Sequence, residues 1–274
     1  MQSTLGGPLV VIGGAEDRHE ERRILKRFVE LSGGAESHIV VIAAASETPN
    51  EISAVYKNAF QSLGARDVTA LRVSNRNQAN APSAIAAIEK ATGVFFTGGN
   101  QLRITRLIGG TKLDTVLHNK HDNGMALAGT SAGAAMMSSI MIMGGSTESP
   151  YRVGMVELTP GMDFISGVMI DQHFEQRGRL RRLLSAIVQY PHDIGIGIDE
   201  NTAVVISDSI AEVIGDGSVT VIDAGDLTFT NLDKLNKNDR LTLCGVKIHI
   251  LSEGYRFDLR NRIPVIERQT NENR

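Results

Sequence analysis

The feature that most constrains the fold is an alternation of short apolar runs and helical patterns through the first 140 residues. Each apolar run is rich in β-branched residues, which predicts strands buried on both faces, and segments with helical spacing of apolar residues follow. The predicted strands span 9–12, 38–43, 68–73, 94–96 and 125–128, and the predicted helices span 16–31, 52–63, 84–91, 102–108 and 113–118. Because helical crossovers join parallel strands, this rhythm predicts an α/β fold with a doubly wound, mainly parallel sheet.

The rhythm changes after about residue 200, where short apolar runs are separated by turns instead of helices. These runs span 203–206, 211–214, 219–222 and 246–251. They predict an antiparallel extension, at about 200–255, that continues the same domain. A chain of 274 residues, 42% of them hydrophobic, suits a single domain over 1–274, with a loose polar tail at 267–274.

The charge balance narrows the classes of partner. Lys and Arg number 28 against 31 Asp and Glu, so a general nucleic-acid binder is not expected. No run approaches the roughly 18 apolar residues of a membrane span, and no secretory signal pattern opens the chain. Cys244 is the single cysteine, which excludes an intrachain disulfide and a cysteine-based zinc cluster. These features lead us to expect a cytoplasmic protein without a membrane partner.

A Gly-Thr-Ser-Ala-Gly turn at 129–133 follows a predicted strand and precedes a helix-forming segment. A Gly-x-Ser-x-Gly turn in this position holds its serine exposed on a strained backbone, which predicts Ser131 as a nucleophile. Backbone N–H groups of Gly99 and Ala132 are the candidates for an oxyanion hole. The alternative is an ordinary turn of small residues that serves packing.

A nucleophilic serine needs a base and an acid that orients the base. His173 ends an apolar run, on the strand edge where sites form in α/β folds, although a hydrogen-bonded structural histidine is the alternative. The candidate acids are Glu148, which follows a Gly-Gly-Ser-Thr segment, and Asp199 or Glu200, which follow another strand. Spacing alone does not choose among them.

Four arginines lie within the six residues 177–182. Arginine grips carboxylates through a bidentate fork, and Arg179 and Arg182 fall on one face of a helix. A solvated basic helix face is the alternative, and contact with nucleic acid is a weaker one because no aromatic residues interleave.

Several ordered motifs together resemble a known family over roughly residues 8–255. The motifs are Val-Ile-Gly-Gly-Ala-Glu-Asp at 11–17, Phe-Thr-Gly-Gly-Asn-Gln-Leu-Arg at 96–103, Gly-Thr-Ser-Ala-Gly-Ala at 129–134, Asp-Gln-His-Phe at 171–174 and Gly-Ile-Asp-Glu-Asn-Thr-Ala at 197–203. With them the chain resembles the cyanophycinases of the dipeptidase E-like serine peptidase family. The resemblance implies a class I glutamine amidotransferase-like, flavodoxin-like fold.

The resemblance also implies an activity. Such an enzyme is a serine exopeptidase that hydrolyses cyanophycin, a poly-aspartate with arginine on each β-carboxyl, to β-Asp-Arg dipeptides through an acyl-enzyme. No metal or organic cofactor takes part, and a homodimer is expected. By the same resemblance Ser131 is the nucleophile, His173 the general base and Glu148 the third member. The implied substrate-binding residues are Gln101, Asp171, Gln172, Arg177, Arg179 and Arg182.

Two other functions stay open. An aspartyl dipeptidase that cleaves N-terminal Asp-X bonds would also use an arginine cluster for a carboxylate. A non-enzymatic amidotransferase-like binding module would keep the fold without a reactive serine.

Overall fold

A computed structural model describes residues 6–145, 156–236 and 239–266. Within them the strands are β1 Leu9–Ile12, β2 His38–Ile42, β3 Asp67–Leu71, β4 Gly93–Phe96, β5 Ala126–Thr130, β6 Ile140–Gly145, β7 Val156–Pro160, β8 Val168–Gln172, β9 Ile194–Ile198, β10 Thr202–Ser207, β11 Ile210–Gly215, β12 Val219–Asp223, β13 Phe229–Thr230, β14 Leu243–Cys244, β15 Lys247–Leu251, β16 Arg256–Asp258 and β17 Ile263–Val265. The α-helices are α1 Arg23–Leu31, α2 Pro49–Ser62, α3 Arg76–Ala79, α4 Pro82–Lys90, α5 Gln101–Ile108, α6 Lys112–Asp122, α7 Ala132–Ala135 and α8 Leu180–Ile187.

The main sheet has nine strands in the order β17-β16-β11-β10-β1-β5-β4-β2-β3. Five neighbouring strands, β1, β5, β4, β2 and β3, pair in parallel. This confirms the parallel sheet that the alternation of strands and helices predicts. The strands β10, β11, β16 and β17 continue it in antiparallel pairing. The chain is therefore a mixed α/β protein with a large central sheet.

Both faces of β1, β2, β4 and β5 are buried, because helices cover the two sides, whereas the edge strand β3 is largely exposed. On β1, Leu9 and Val11 belong to one core cluster, while Val10 and Ile12 belong to the other. Helices α4, α5 and α6 pack on the first side, and α1 and α2 pack on the second. Strands of this kind read as continuous apolar runs, and this is why the sequence identified them.

The strands of the antiparallel extension divide between two sheets, a division that the sequence pattern did not address. The strands β10 and β11 join the main sheet, but β12 and β15 pair with β9 in a second, four-stranded sheet of order β15-β12-β9-β8. Within it β8 and β9 are parallel. The alternation of apolar residues predicts a strand without naming its partner, so the division into two sheets is a property of the tertiary structure.

The first helix is shorter than predicted and begins at Arg23 instead of residue 16. The preceding loop is organised by Asp17, whose carboxylate accepts N–H groups of His19, Glu20 and Arg22 at 2.8–2.9 Å. These hydrogen bonds, that from Arg22 first, lower the pKa of Asp17 to about 2. An aspartate that binds nearby backbone in this way competes with helix formation. Among the described residues, no helix has both the length and the apolar character to cross a bilayer.

Candidate active site

Ser131 occupies a strained turn between β5 and α7, with φ +52° and ψ −112°. A non-glycine residue with positive φ is held there only by its surroundings. The flanking glycines make that possible: a Cβ on Gly129 would lie 2.1 Å from the Gly133 carbonyl oxygen, and one on Gly133 would lie 2.4 Å from that of Phe96. The predicted turn therefore has the geometry of a nucleophile elbow.

His173 and Glu200 complete a line of three side chains with Ser131. The Oγ of Ser131 lies 2.9 Å from Nε2 of His173, and Nδ1 of His173 lies 2.6 Å from Oε1 of Glu200. His173 follows β8 and Glu200 follows β9, so the parallel pairing of these strands brings their carboxyl ends together. Serine, imidazole and carboxylate in this order are the arrangement of a catalytic triad.

The structure distinguishes between the two acids of the segment after β9. Asp199 is engaged elsewhere, because its carboxylate accepts the N–H of Glu175 at 3.0 Å and both the N–H and hydroxyl of Ser218 at 2.9 Å. Glu200 is the one that contacts the imidazole. Glu148, the acid that the resemblance selects, lies outside the described residues.

The end of β1 holds all three segments of this line. Three consecutive carbonyls accept backbone N–H groups: that of Ile12 from Ser131 at 3.0 Å, that of Gly13 from His173 at 2.8 Å, and that of Gly14 from Asn201 at 2.9 Å. Gly13 and Gly14 are thus part of the site, although they are not among the predicted site residues. The signal that points to them is their position directly after a buried strand, in a family motif.

Gly14 also lies against the imidazole of His173. Its φ is +106°, and a Cβ there would lie 2.3 Å from Cε1 and 2.6 Å from Nε2 of His173. The imidazole therefore rests against a backbone that has no side chain, and any larger residue must displace it.

The environment of His173 suits a general base. Burial, first, lowers the pKa of His173 below its ordinary value of 6.5, and the positive charges of Arg177 and Arg179 act in the same direction. The hydrogen bond and charge of Glu200 oppose them. A lowered pKa keeps the imidazole neutral near pH 7, which is the form that accepts a proton from serine.

A second network lies beneath the elbow and was missed, because Glu16 falls in the segment predicted as helix. Glu16 is buried and accepts the Thr130 hydroxyl at 2.5 Å and the hydroxyl of Tyr56. Burial and the Glu16 charge raise the pKa of Tyr56 well above its usual value, so Tyr56 donates to the carboxylate. Thr130 directly precedes Ser131, so this network fixes the residue on which the elbow turns.

The glycine turn after β4 borders Ser131. A Cβ on Gly98 would lie 3.3 Å from Cβ of Ser131, and Gly99 packs against the carbonyl of Ala45 with φ +138°. Ala132 begins α7 directly after Ser131. The two predicted oxyanion donors, Gly99 and Ala132, thus belong to segments that adjoin Ser131, and their role stays a prediction.

Two of the predicted pocket arginines form a buried cluster around one acid. Nε of Arg182 lies 2.7 Å from Oδ2 of Asp171, and Nη1 of Arg179 lies 3.3 Å from Oδ1. Arg179 also donates to the backbone and side-chain oxygens of Gln172. The carboxylate of Asp171 is fully buried, so a solvated basic face is the wrong description of Arg179 and Arg182. Arg177, in contrast, is exposed.

Arg179 has a donor group that its neighbours leave unused. Among the described residues its buried Nε has no hydrogen-bond partner. Burial lowers the pKa of Arg179 to about 10, against the opposing effect of Asp171. A buried donor without a partner is costly and suits an acceptor that arrives with a ligand.

Gln101 begins α5, and its amide donates to the carbonyl of Ile142 in β6 at 3.0 Å. It therefore connects the glycine turn after β4 to β6, the strand that precedes Glu148 in the chain.

Nowhere in 6–145, 156–236 or 239–266 do three or more histidine, cysteine or acidic side chains assemble into a metal-binding group.

The fold and this geometry define a hydrolase with a serine nucleophile, and comparison with known proteins agrees. The family model of peptidase family S51 matches residues 9–214, and the chain belongs to that family. Ser131, His173 and Glu200 all lie within the matched span. The protein is therefore a peptidase.

Individual relatives cover nearly the whole chain. It is 40% identical over 265 residues to a cyanophycinase of Trichormus variabilis, across 95% of this chain and 89% of that one. It is 40% identical over 268 residues to a cyanophycinase of Geminocystis herdmanii, across 97% and 98% of the two chains. A crystal structure of a peptidase from an acI-B1 Actinobacterium has the same fold, with a TM-score of 0.68, 21% identity, and coverage of 92% and 97%.

Proposed function

We propose that the protein is a cyanophycinase, a serine exopeptidase that releases β-Asp-Arg dipeptides from cyanophycin through an acyl-enzyme. One observation carries the proposal: the Ser131–His173–Glu200 line lies beside a buried cluster in which Arg179 keeps a free donor. The cyanophycinase relatives at 40% identity support the choice of substrate.

Catalysis begins at Ser131. Its Oγ attacks a backbone carbonyl of the poly-aspartate while Nε2 of His173, 2.9 Å away, takes the hydroxyl proton. Nδ1–H of His173 donates to Glu200, which fixes the ring and stabilises the imidazolium. Backbone N–H groups of Gly99 and Ala132 bind the oxyanion of the tetrahedral intermediate.

Collapse of this intermediate breaks the peptide bond. His173 returns the proton to the leaving amine, and the acyl group remains on Ser131. Water then attacks the ester carbonyl while Nε2 takes one of its protons. His173 passes this proton to the Oγ of Ser131 as the ester bond breaks, which restores the serine hydroxyl and releases the product acid, which ionises to the carboxylate. The cycle consumes one water and needs neither a metal nor an organic cofactor.

Substrate binding follows from the charges of the polymer. Each unit carries the free α-carboxylate of its arginine, and this group suits the exposed Arg177 together with the Nε of Arg179, which has no hydrogen-bond partner among the described residues. Asp171 accepts from both Arg182 and Arg179, so it positions Arg179. The side-chain oxygen of Gln172 accepts from Arg179, and Gln101 is a proposed contact from the start of α5.

The test is incubation with purified cyanophycin and a chelator, followed by mass analysis of the soluble products. We expect β-Asp-Arg from the native protein and none from Ser131→Ala. Faster cleavage of free Asp-X dipeptides than of polymer would identify an aspartyl dipeptidase. Failure of a serine-reactive probe to label Ser131 would identify a binding module.

The finer structural expectations belong to the same proposal. We infer a single domain of class I glutamine amidotransferase-like architecture, because the elbow lies at the end of β5 inside the parallel part of the sheet. We infer a homodimer, supported by Ile248 and Ile250 on β15, whose exposed fractions are 46% and 73%. We infer a cytoplasmic location, supported by the exposed free thiol of Cys244.

A further inference from the structure

A cavity of about 240 Å³ opens at the carboxyl edge of β2 and β3, apart from the residues assigned to catalysis. Its floor is the chain just after those strands, and one wall is the amino end of α2. The residues that give it chemical character are Asn50, Ser53, Lys57, Arg72, Ser74 and Arg103. The amino end of a helix of this length adds a partial positive charge.

The charge of this cavity is one-sided. Lys57, Arg72 and Arg103 line it, and none of its lining residues is acidic. All three side chains are exposed, and in the part of the chain that the structure describes none of them forms an ion pair. Among the neutral lining residues, Asn50, Ser53 and Ser74 carry groups that can donate hydrogen bonds, and the others are apolar. Three cationic side chains beside such groups fit a carboxylate better than a cation.

The cavity lies on the same edge of the sheet as the nucleophile. The strand order β5-β4-β2-β3 places it two to three strands from Ser131, which is about 12 Å at the usual strand spacing. The turn after β4 joins the two places. Asn100 donates its N–H to the carbonyl of Ala45 at 3.0 Å, next to the cavity wall, while Gly98 packs against Ser131.

We propose that this cavity is a distal subsite that binds the carboxylates of a polymer unit remote from the bond being cleaved. The proposal rests on the proposed function and deepens it. An extended backbone spans about 12 Å in three to four residues, and each aspartate of the cyanophycin backbone bears an arginine whose α-carboxylate is free. A chain held at the cavity keeps its scissile bond near Ser131, so the subsite favours long chains over short fragments through effective concentration.

The test measures the kinetics of the native protein and of a double variant on two substrates, long-chain cyanophycin and a short fragment. Lys57→Ala/Arg72→Ala removes two exposed charges that lie away from the catalytic line. We expect kcat/KM for soluble long-chain cyanophycin to fall about tenfold, since each lost contact is worth about threefold. We expect kcat/KM for a fragment of two units to stay within about twofold. The matched control is Lys26→Ala/Lys90→Ala, which removes two exposed charges outside the cavity and should change neither value.

Two further measurements separate the explanations. Lys57→Arg/Arg72→Lys keeps both charges and should retain the preference for polymer. In the native protein, added salt should reduce this preference, and in the double alanine variant it should have little to reduce. An equal loss on polymer and fragment, or no loss on either, overturns the subsite.

A binding measurement keeps this inference apart from the proposed function. On a Ser131→Ala background, the double alanine variant should bind soluble polymer about tenfold more weakly than the unaltered cavity does. If the native protein hydrolyses neither substrate, the proposed function fails, and this comparison alone decides the subsite: equal binding by both proteins overturns it.

Discussion

The main sheet supplies Ser131 from the end of β5, whereas the second sheet supplies His173 and Glu200 from the ends of β8 and β9. On the main-sheet side the backbone conformation itself is constrained, since glycines allow the strained turn and the Ile12 carbonyl accepts the N–H of Ser131. On the second-sheet side, side-chain charges dominate, with Asp171 holding Arg179 and Arg182.

The difference teaches where each half is vulnerable. Where backbone packs closely, an added side-chain atom displaces its neighbours. In a buried charged cluster, removal of one partner leaves the opposite charge unpaired. The two halves meet at the end of β1. Backbone carbonyls there accept an N–H from Ser131 of one half and from His173 of the other. Substitutions in either half therefore test whether the place where the two sheets meet, at the end of β1, is the catalytic centre.

The largest effect is expected at the nucleophile. Ser131→Ala should lower kcat on cyanophycin by roughly 10⁴-fold or more, because the attacking oxygen is lost. The thermal midpoint should change little, since the turn keeps its glycines. Dipeptide release followed by mass analysis measures the loss, and near-normal turnover in this variant contradicts the assignment.

The next effect distinguishes the candidate acids. Glu200→Gln should lower kcat by roughly 10³-fold, because the ring of His173 loses the carboxylate that orients it. Glu148→Gln is the comparison, and the larger loss identifies the third member. Asp199→Asn should instead lower the thermal midpoint, because it binds Glu175 and Ser218 rather than the ring.

A backbone change tests the main-sheet side alone. Gly14→Ala should lower kcat by roughly 10²-fold, because the new Cβ displaces the His173 ring from Ser131. The matched control is Gly124→Ala, at φ +99° but with no atom within 4 Å of the added Cβ. Equal losses of activity in both variants would show that backbone strain, not contact with His173, is responsible.

The smallest effect is a shift of the pH profile. Because the pKa of His173 is lowered, its neutral form persists below pH 6.5. The midpoint of the acidic limb of kcat/KM should therefore lie below pH 6.5. Arg177→Ala removes a positive charge that lowers this pKa, so the limb should move toward higher pH by less than one unit. If the midpoint of the acidic limb stays unchanged, whatever the change in KM, Arg177 does not influence the pKa of His173.

The parts predictable from sequence were those that local pattern encodes. Four of the five parallel strands are predictable because buried strands are mostly apolar, and Ser131 is predictable because its turn follows such a strand. His173 was a candidate from its place at a strand end, and the structure brings it to 2.9 Å from Ser131. Their catalytic roles remain predictions with the tests above.

Glu16, Gly14 and the choice of Glu200 were beyond the reach of spacing. Glu16 and Thr130 are 114 residues apart in the chain yet share a 2.5 Å hydrogen bond. Asp199 and Glu200 are neighbours with the same charge, and only their surroundings separate the acid that anchors a loop from the one on the imidazole.

The sequence by itself determined the parallel sheet, the strained serine turn and the presence of an arginine cluster, because each depends on residues close together in the chain. Only the tertiary structure decided that two sheets share the site, that Asp171 anchors Arg179 and Arg182 in the interior, and that Glu200 reaches the imidazole. The physical reason is that strand pairing and buried charge depend on which distant segments meet, and hydrophobic pattern is blind to that choice.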